Sequence, residues 1–212
     1  MSQPDQPAPG LRERKKQATR AALSWAAVQL AVERGLDNVR VEDIAEAAGV
    51  SPRTFNNYFG SKAEAIAARH TERLREIAAE TAGRPAGEPI WTAVTAAVAA
   101  RFDNDRTDPD PQWLAGVRLM TSEPSLQGEL VKAHVAAEAE LVAVLARRTG
   151  TDPVRDLYPR LLAGAIGAAI QAATAQWLNA DPRVPIGLLV RDALTQLAAG
   201  LPAPRLAPRL EP

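Results

Sequence analysis

Val41-Glu42-Asp43-Ile44-Ala45-Glu46-Ala47-Ala48-Gly49-Val50-Ser51-Pro52-Arg53-Thr54-Phe55-Asn56-Asn57-Tyr58-Phe59 is the stretch that decides the fold. It reads as a short helix, a tight turn and a second short helix. Ile44, Ala45 and Ala48 share one face of the first helix, because helical neighbours recur three and four residues apart. Gly49 supplies the left-handed residue that commonly ends a helix, at little strain. Val50 follows as an apolar plug. Ser51 is a good N-cap, and Pro52 suits the first helical position, where its missing N–H is not needed. Phe55, Tyr58 and Phe59 give the second helix an apolar face. A small residue, a glycine four positions on and two apolar anchors together form the sequence pattern of a helix-turn-helix, whose second helix enters the DNA major groove.

Upstream, residues 1–10 form a polar, proline-rich arm, expected to be disordered. Residues 11–34 follow a helical pattern, with Leu23, Ala26, Ala27, Leu30 and Ala31 as the inward stripe. Arg12, Lys15, Lys16 and Arg20 gather near its N-terminal end, where the helix macrodipole disfavours cations. A nearby phosphate backbone explains that placement better than stability does. Downstream, Gly60-Ser61 breaks the chain, and Ser61 with Glu64 forms a capping box for a long helix from Lys62 to about Glu80. A Gly/Pro-rich joint at 83–87 precedes a helix from Pro89 to Phe102.

Beyond a polar turn at 103–110, helical patterns run from Pro111 to Thr121 and from Pro124 to Arg148. Asp152-Pro153 is expected to open a helix reaching Asn179. After a loop at 181–185, a last helix ends at Ala199, and the proline-rich tail follows. No alternating β pattern persists, so the fold class is all-α with about nine helices. The expected organisation is an arm at 1–10, a DNA-binding domain at 11–60, a helical body at 61–200 and a tail at 201–212.

Composition agrees. In 212 residues, 46% are hydrophobic and 24% charged, enough for a substantial core. Net charge is zero, but residues 1–62 carry nine basic against seven acidic residues. A local basic patch beside a reading element is the footprint expected of a DNA binder. There is no cysteine, which excludes disulfides and thiolate chemistry. The N-terminus lacks a secretion signal, so the expected location is cytoplasmic. Leu161 to Leu178 carries no charge, but its Ala and Gly content with Gln171, Thr174 and Gln176 reads as a helix buried in protein, not in a membrane.

With the basic helix, Gly49-Val50-Ser51, Thr54, Tyr58-Phe59 and Ser61-Lys62 in view, the chain resembles the TetR family of transcriptional regulators over residues 11–68. The opening Arg-Glu-Arg-Lys-Lys and the Pro-Arg-Thr-Phe run look most like its mycofactocin-system branch. The resemblance implies an N-terminal three-helix DNA-binding domain and a C-terminal ligand-binding and dimerisation domain. It implies a repressor that binds a palindromic double-stranded operator as a homodimer and is released by a small apolar or amphipathic effector. Arg53 and Thr54, early in the recognition helix, are expected to reach bases or phosphate, with Ser51 at its cap. Tyr58 and Lys62 match family positions that hold phosphate. Two departures bear on specificity. Asn56 stands where an aromatic is usual, so Asn56 and Asn57 are candidate base readers. Arg40 stands where a capping Thr is common and is assigned a phosphate.

In the second half, Ala163, Gly164, Gly167, Ala168, Ala172 and Ala175 allow close backbone approach. The helix bearing them is expected to pair with the last helix, bearing Ile186, Leu188, Leu189, Leu194 and Leu197, across the dimer. Trp91, Phe102, Trp113, Met120, His134 and Trp177 are candidate lining of the effector pocket. No catalytic group, cofactor or metal is expected: His134 and Glu138 share a helix face without a second ligand pair, and no phosphate-cradling glycine loop is present. The rival reading is a helical small-molecule-binding protein or enzyme with a merely structural N-terminal motif.

Overall fold

The computed structural model describes residues 10–102, 111–180 and 184–202, with backbone alone at 111–113. The expected arm before Gly10, the turn at 103–110, the loop at 181–183 and the tail beyond Pro202 lie outside the described residues. Among the described residues there are nine α-helices and no strand. They are α1 (Leu11–Arg34), a 3-10 turn (Leu36–Asn38), α2 (Val41–Ala47), α3 (Pro52–Tyr58), α4 (Lys62–Gly83), α5 (Ile90–Phe102), α6 (Pro111–Ser122), α7 (Pro124–Thr149), α8 (Tyr158–Leu178) and α9 (Ile186–Ala198). The chain divides into two compact units, and two of the three divisions fall within α4 and α7.

The first unit comprises Met1–Glu72 and Asp110–Val135. α1 packs on α2 and α6, and α2 on α3. The inward stripe of α1 meets Ile44, Ala45, Phe55 and Phe59 of the helix-turn-helix, Ala65 and Ile66 of α4, and Leu126 of α7. Phe55 and Phe59 are essentially fully buried, with ring centroids 5.7 Å apart. Burying a side chain of this size stabilises by roughly 1.5–3 kcal/mol. Gly116 of α6 lies against α1: a Cβ there would sit 3.0 Å from Val28 Cγ1, so a larger residue would make the Val28 side chain give way. Ser24 Oγ donates 2.6 Å to Ala65 O, a buried tie from α1 to α4. His70 Nε2 and His134 Nδ1, 3.3 Å apart, join α4 to α7.

The second unit comprises Arg73–Pro109 and Ala136–Pro212. α9 packs on both α5 and α8. Arg148 closes the Gly/Pro-rich joint by donating to Arg84 O and Pro85 O, each at 2.8 Å. Arg84 grips Glu88 with two hydrogen bonds of 2.6 and 2.7 Å and holds that carboxyl below its ordinary range.

Three expectations about α8 need correction. It begins at Tyr158, not at Asp152-Pro153. Asp152 Oδ1 instead accepts from the N–H groups of Val154 and Arg155, which closes a local turn and holds its carboxyl below the usual range. Pro159 then falls in the first turn, where proline is tolerated. Nor is the uncharged run wholly buried: α8 is long and apolar enough to cross a membrane, yet only 33% of that window is buried. Finally, Ala163 lies on the inward face with Leu162, Ile166, Ala169, Ala173 and Trp177, whereas Gly164, Ala168, Ala172 and Ala175 are exposed.

Candidate nucleic-acid interface

The turn of the helix-turn-helix is built from its backbone outward. Gly49 adopts φ +68°, its N–H donates to Glu46 O, and the Val50 N–H donates to Ala45 O, both at 2.9 Å. This pair of bonds is a Schellman motif, and it uses carbonyls that α2 would otherwise leave unpaired. Ser51 Oγ then accepts from the Thr54 N–H at 3.1 Å and lies 2.9 Å from Thr54 Oγ1. The recognition helix α3 is thus capped by the residue the sequence nominated.

Burial sorts α3 into two faces. Phe55 points inward, while Arg53, Asn56 and Asn57, spaced three and four apart, share the exposed face. Thr54 and Tyr58 are half-buried at its border. An open groove of about 830 Å³ separates α3 from the start of α1. Arg12, Lys15, Lys16 and Thr19 line it from α1, and Thr54, Asn57 and Tyr58 from α3. Glu13 is the one acid on its walls among the described residues. The groove therefore sets three cations and several hydroxyl or amide donors beside the exposed face of α3. Such a surface can neutralise phosphates while side chains reach base edges.

The flanking candidates take different positions. Arg40 is exposed and stands at the N-cap of α2. A guanidinium has no acceptor, so the cap is supplied in reverse: Asp43 Oδ2 accepts from the Arg40 N–H at 2.9 Å. Lys62 is half-buried, and its ammonium donates to Leu36 O at 2.6 Å and Val39 O at 3.0 Å. The sequence presents Arg20 only as part of the basic cluster. Its Nη1 donates to Tyr58 O at 3.1 Å, and its guanidinium lies 4.4 Å from the Phe59 ring centroid. Periodicity carries a signal for both cations, since Arg20 precedes Leu23 by three residues and Lys62 precedes Ile66 by four, each on a buried stripe.

The candidate pocket residues fall in both units. Trp91, half-buried, Phe102 and Trp177 belong to the second. Phe102 and Trp177 are 3% and 2% exposed, and the Arg73 guanidinium lies over the Phe102 ring. Met120 and His134 belong to the first unit, where Met120 packs against the helix-turn-helix core and His134 faces His70. The Trp113 side chain lies outside the described residues. Among the described residues no group of three or more His, Asp or Glu is placed to hold a metal.

A capped recognition helix with a polar outer face, an apolar inner face and a basic groove beside it defines a helix-turn-helix DNA-binding protein. Comparison with known proteins supplies the family. Residues 25–68 match the model for bacterial regulatory proteins of the tetR family, and residues 88–202 match the model for the MftR C-terminal domain. The second match alone spans more than half of the chain. The chain belongs to the TetR family of bacterial transcriptional regulators.

It is 32% identical over 180 residues to the HTH-type transcriptional regulator TcmR of Streptomyces glaucescens, covering 82% of this chain and 79% of that one. It is 25% identical over 190 residues to the protein of Mycobacterium tuberculosis named as mycofactocin biosynthesis transcriptional regulator MftR, covering 89% and 93%. Among solved structures, Thermus thermophilus FadR, a TetR-family repressor in complex with lauroyl-CoA, superposes with a TM-score of 0.54 at 19% identity, covering 91% and 100%. These sequence relatives are transcriptional regulators, not enzymes.

Proposed function

We propose that this regulator is a ligand-responsive repressor, bound as a homodimer to a palindromic operator and released by a small effector. The observation that carries the reading is the exposed Arg53, Asn56 and Asn57 face of α3 beside the groove of Arg12, Lys15 and Lys16. In the proposed division of labour, residues 11–60 read DNA, while residues 61–200 sense and dimerise. Arg53 and the two asparagines reach base edges, Asn amides suiting adenine. Thr54, Tyr58 and the groove cations hold phosphate, Arg40 extends that contact at the start of α2, and Ser51 orients α3. Such a protein works where the DNA is, in the cytoplasm.

A second copy is proposed on the outer face of α8 and α9. Tyr158, Leu161 and Leu188 are 45%, 59% and 59% exposed, flanked by Gly164, Ala168, Ala172 and Ala175. Small residues let backbones approach closely, and the large ones supply apolar area that water should not cover. The proposed effector is small and apolar or amphipathic, as supported by the acyl-CoA held by FadR on the same fold. Within the second unit, Trp91, Phe102 and Trp177 are the candidates for its contacts. Release requires that the effector bind the DNA-incompetent state better than the competent one, since equal affinity shifts nothing. A coupling of about 1–3 kcal/mol is typical.

The test begins with selection of duplexes by the protein from a random-sequence pool. A palindromic consensus bound with steep salt dependence supports the proposal. An absence of DNA affinity even at low salt sinks it and favours the helical-enzyme or carrier reading. Adding lauroyl-CoA to the complex then checks the effector class, with release of the duplex expected.

A further inference from the structure

α1 changes character part-way along its length. Every residue from Leu11 to Ala18 is exposed, and the first buried residue of the helix is Leu23. Among the described residues, the side chains of Arg12, Glu13, Arg14, Lys15 and Lys16 make no hydrogen bond or ion pair. Side-chain bonds to other helices begin at Arg20, on Tyr58 O, and continue at Ser24, on Ala65 O. The N-cap, Gly10, has no side chain to accept from the first turn. Arg12, Arg14, Lys15 and Lys16 crowd the positive end of the helix dipole, and Glu13 is the only acid in the first turn. Arg12 with Lys16, and Lys16 with Arg20, set like charges four residues apart, which opposes the helix.

Most helical stability in a protein comes from a packed face, and these two turns have none. Given DNA binding by the groove that they line, we infer that residues 11–18 are an arm that frays in the free protein and winds into helix on the phosphates of double-stranded DNA. Phosphate reverses the opposing forces: anions beside Arg12, Lys15 and Lys16 relieve their mutual repulsion. Only the helix brings all three to one wall, with Thr19 at the same three- and four-residue spacing. In an extended chain Lys15 and Lys16 point to opposite sides. Winding and binding therefore favour each other by the same factor. The ordering cost falls on the binding step and on the sequence-independent contacts. It weakens every duplex alike and leaves discrimination to α3.

The test uses the full-length protein and two exposed alanines off the groove, Ala18 and Ala22, one turn apart on α1. Glycine at either position disfavours local helix by about fivefold. Ala22 adjoins buried Leu23, within the fixed part of the helix. Ala22→Gly should therefore lower Tm by about 2–4 °C and change DNA affinity by less than about twofold. Ala18→Gly should leave Tm within about 1 °C. It should weaken binding by about three- to fivefold, for a duplex selected from a random pool and for random DNA alike. Hydrogen exchange of the wild type is the independent readout. In free protein the amides of residues 15–18 should exchange about tenfold faster, or more, than those of residues 24–31, and duplex should slow them by about tenfold.

A Tm lowered by Ala18→Gly as much as by Ala22→Gly, with affinity unchanged, would mean that the arm is already wound and would overturn the inference. So would slow exchange of residues 15–18 in free protein, or no slowing on the duplex. Unchanged Tm together with unchanged affinity for Ala18→Gly would mean that the arm stays unwound on DNA, which rejects it equally. A loss confined to the selected duplex would make the arm a reader of bases and reject its phosphate role. Should either variant fail to fold, the exchange measurement decides. No affinity of the wild type for any duplex would overturn the DNA-binding reading itself, an outcome told apart because it needs no variant.

Discussion

The helix-turn-helix and the α8–α9 layer treat their apolar surfaces in opposite ways. Around α3, large side chains close the core within one chain: Phe55, Phe59, Ile44 and Leu23 are all at most 1% exposed. Beyond Pro52 in its first turn, what remains outside on α3 is polar. Along α8 the inner face is covered, but the outer face keeps Leu161 and a run of Ala and Gly in the open, and α9 adds Leu188. The first region is complete in a single copy and turns chemistry outward. The second turns apolar surface outward, as the proposed dimer face requires. A regulator of this family needs both, one for the operator and one for the two-fold axis that matches it.

Substitutions can break each side of that contrast separately. The largest effect is expected from Ala168→Glu, which places a carboxylate on both copies in the proposed interface. An unpaired charge buried there costs about 3–5 kcal/mol. Sedimentation at micromolar concentration should show a monomer with unchanged helix content; a persisting dimer would move the interface elsewhere. Phe55→Ala should next remove about 3–5 kcal/mol of stability, measured by urea unfolding. DNA binding should be lost while the dimer survives.

Asn57→Ala sharpens the polar side. It should cost about 1–3 kcal/mol of discrimination at the base it reads, seen as relaxed preference in competition binding, with little change in stability. A uniform loss across all sequences would assign Asn57 to phosphate instead. Smallest is Ser51→Ala, which removes the α3 cap and should cost about 1 kcal/mol. For a chain of this size that is roughly 2–4 °C in Tm. No shift would mean that the Pro52 start suffices.

Where the sequence was legible, local chemistry had one structural outcome. The Ala45–Gly49–Val50 spacing and the Ser51-Pro52 cap have few other uses, and both appear with the expected bonds. The start of α8 was misread because Asp152-Pro153 suits a helix cap and an Asx-type turn equally. Alanine is nearly silent about burial, so composition could not say that Ala163 faces inward and Ala168 outward. Nor could aromatic content say what each aromatic packs against, which is why the pocket candidates are spread over two units. The pairing of His70 with His134 spans 64 positions and has no local signal. Arg20 and Lys62 were visible as charges, while their carbonyl partners, 23 to 38 residues away, were not.

The central claim is that the outer face of α3 and its basic groove read DNA in a two-fold assembly. Its most direct test is titration of a selected palindromic duplex, with stoichiometry by sedimentation and competition by random DNA over a salt series. The account predicts two protomers per duplex, log K falling linearly with log salt, and a preference over random DNA of about 10³ or more. Competition by random DNA as effective as the palindrome itself, or no affinity at low salt, would contradict it.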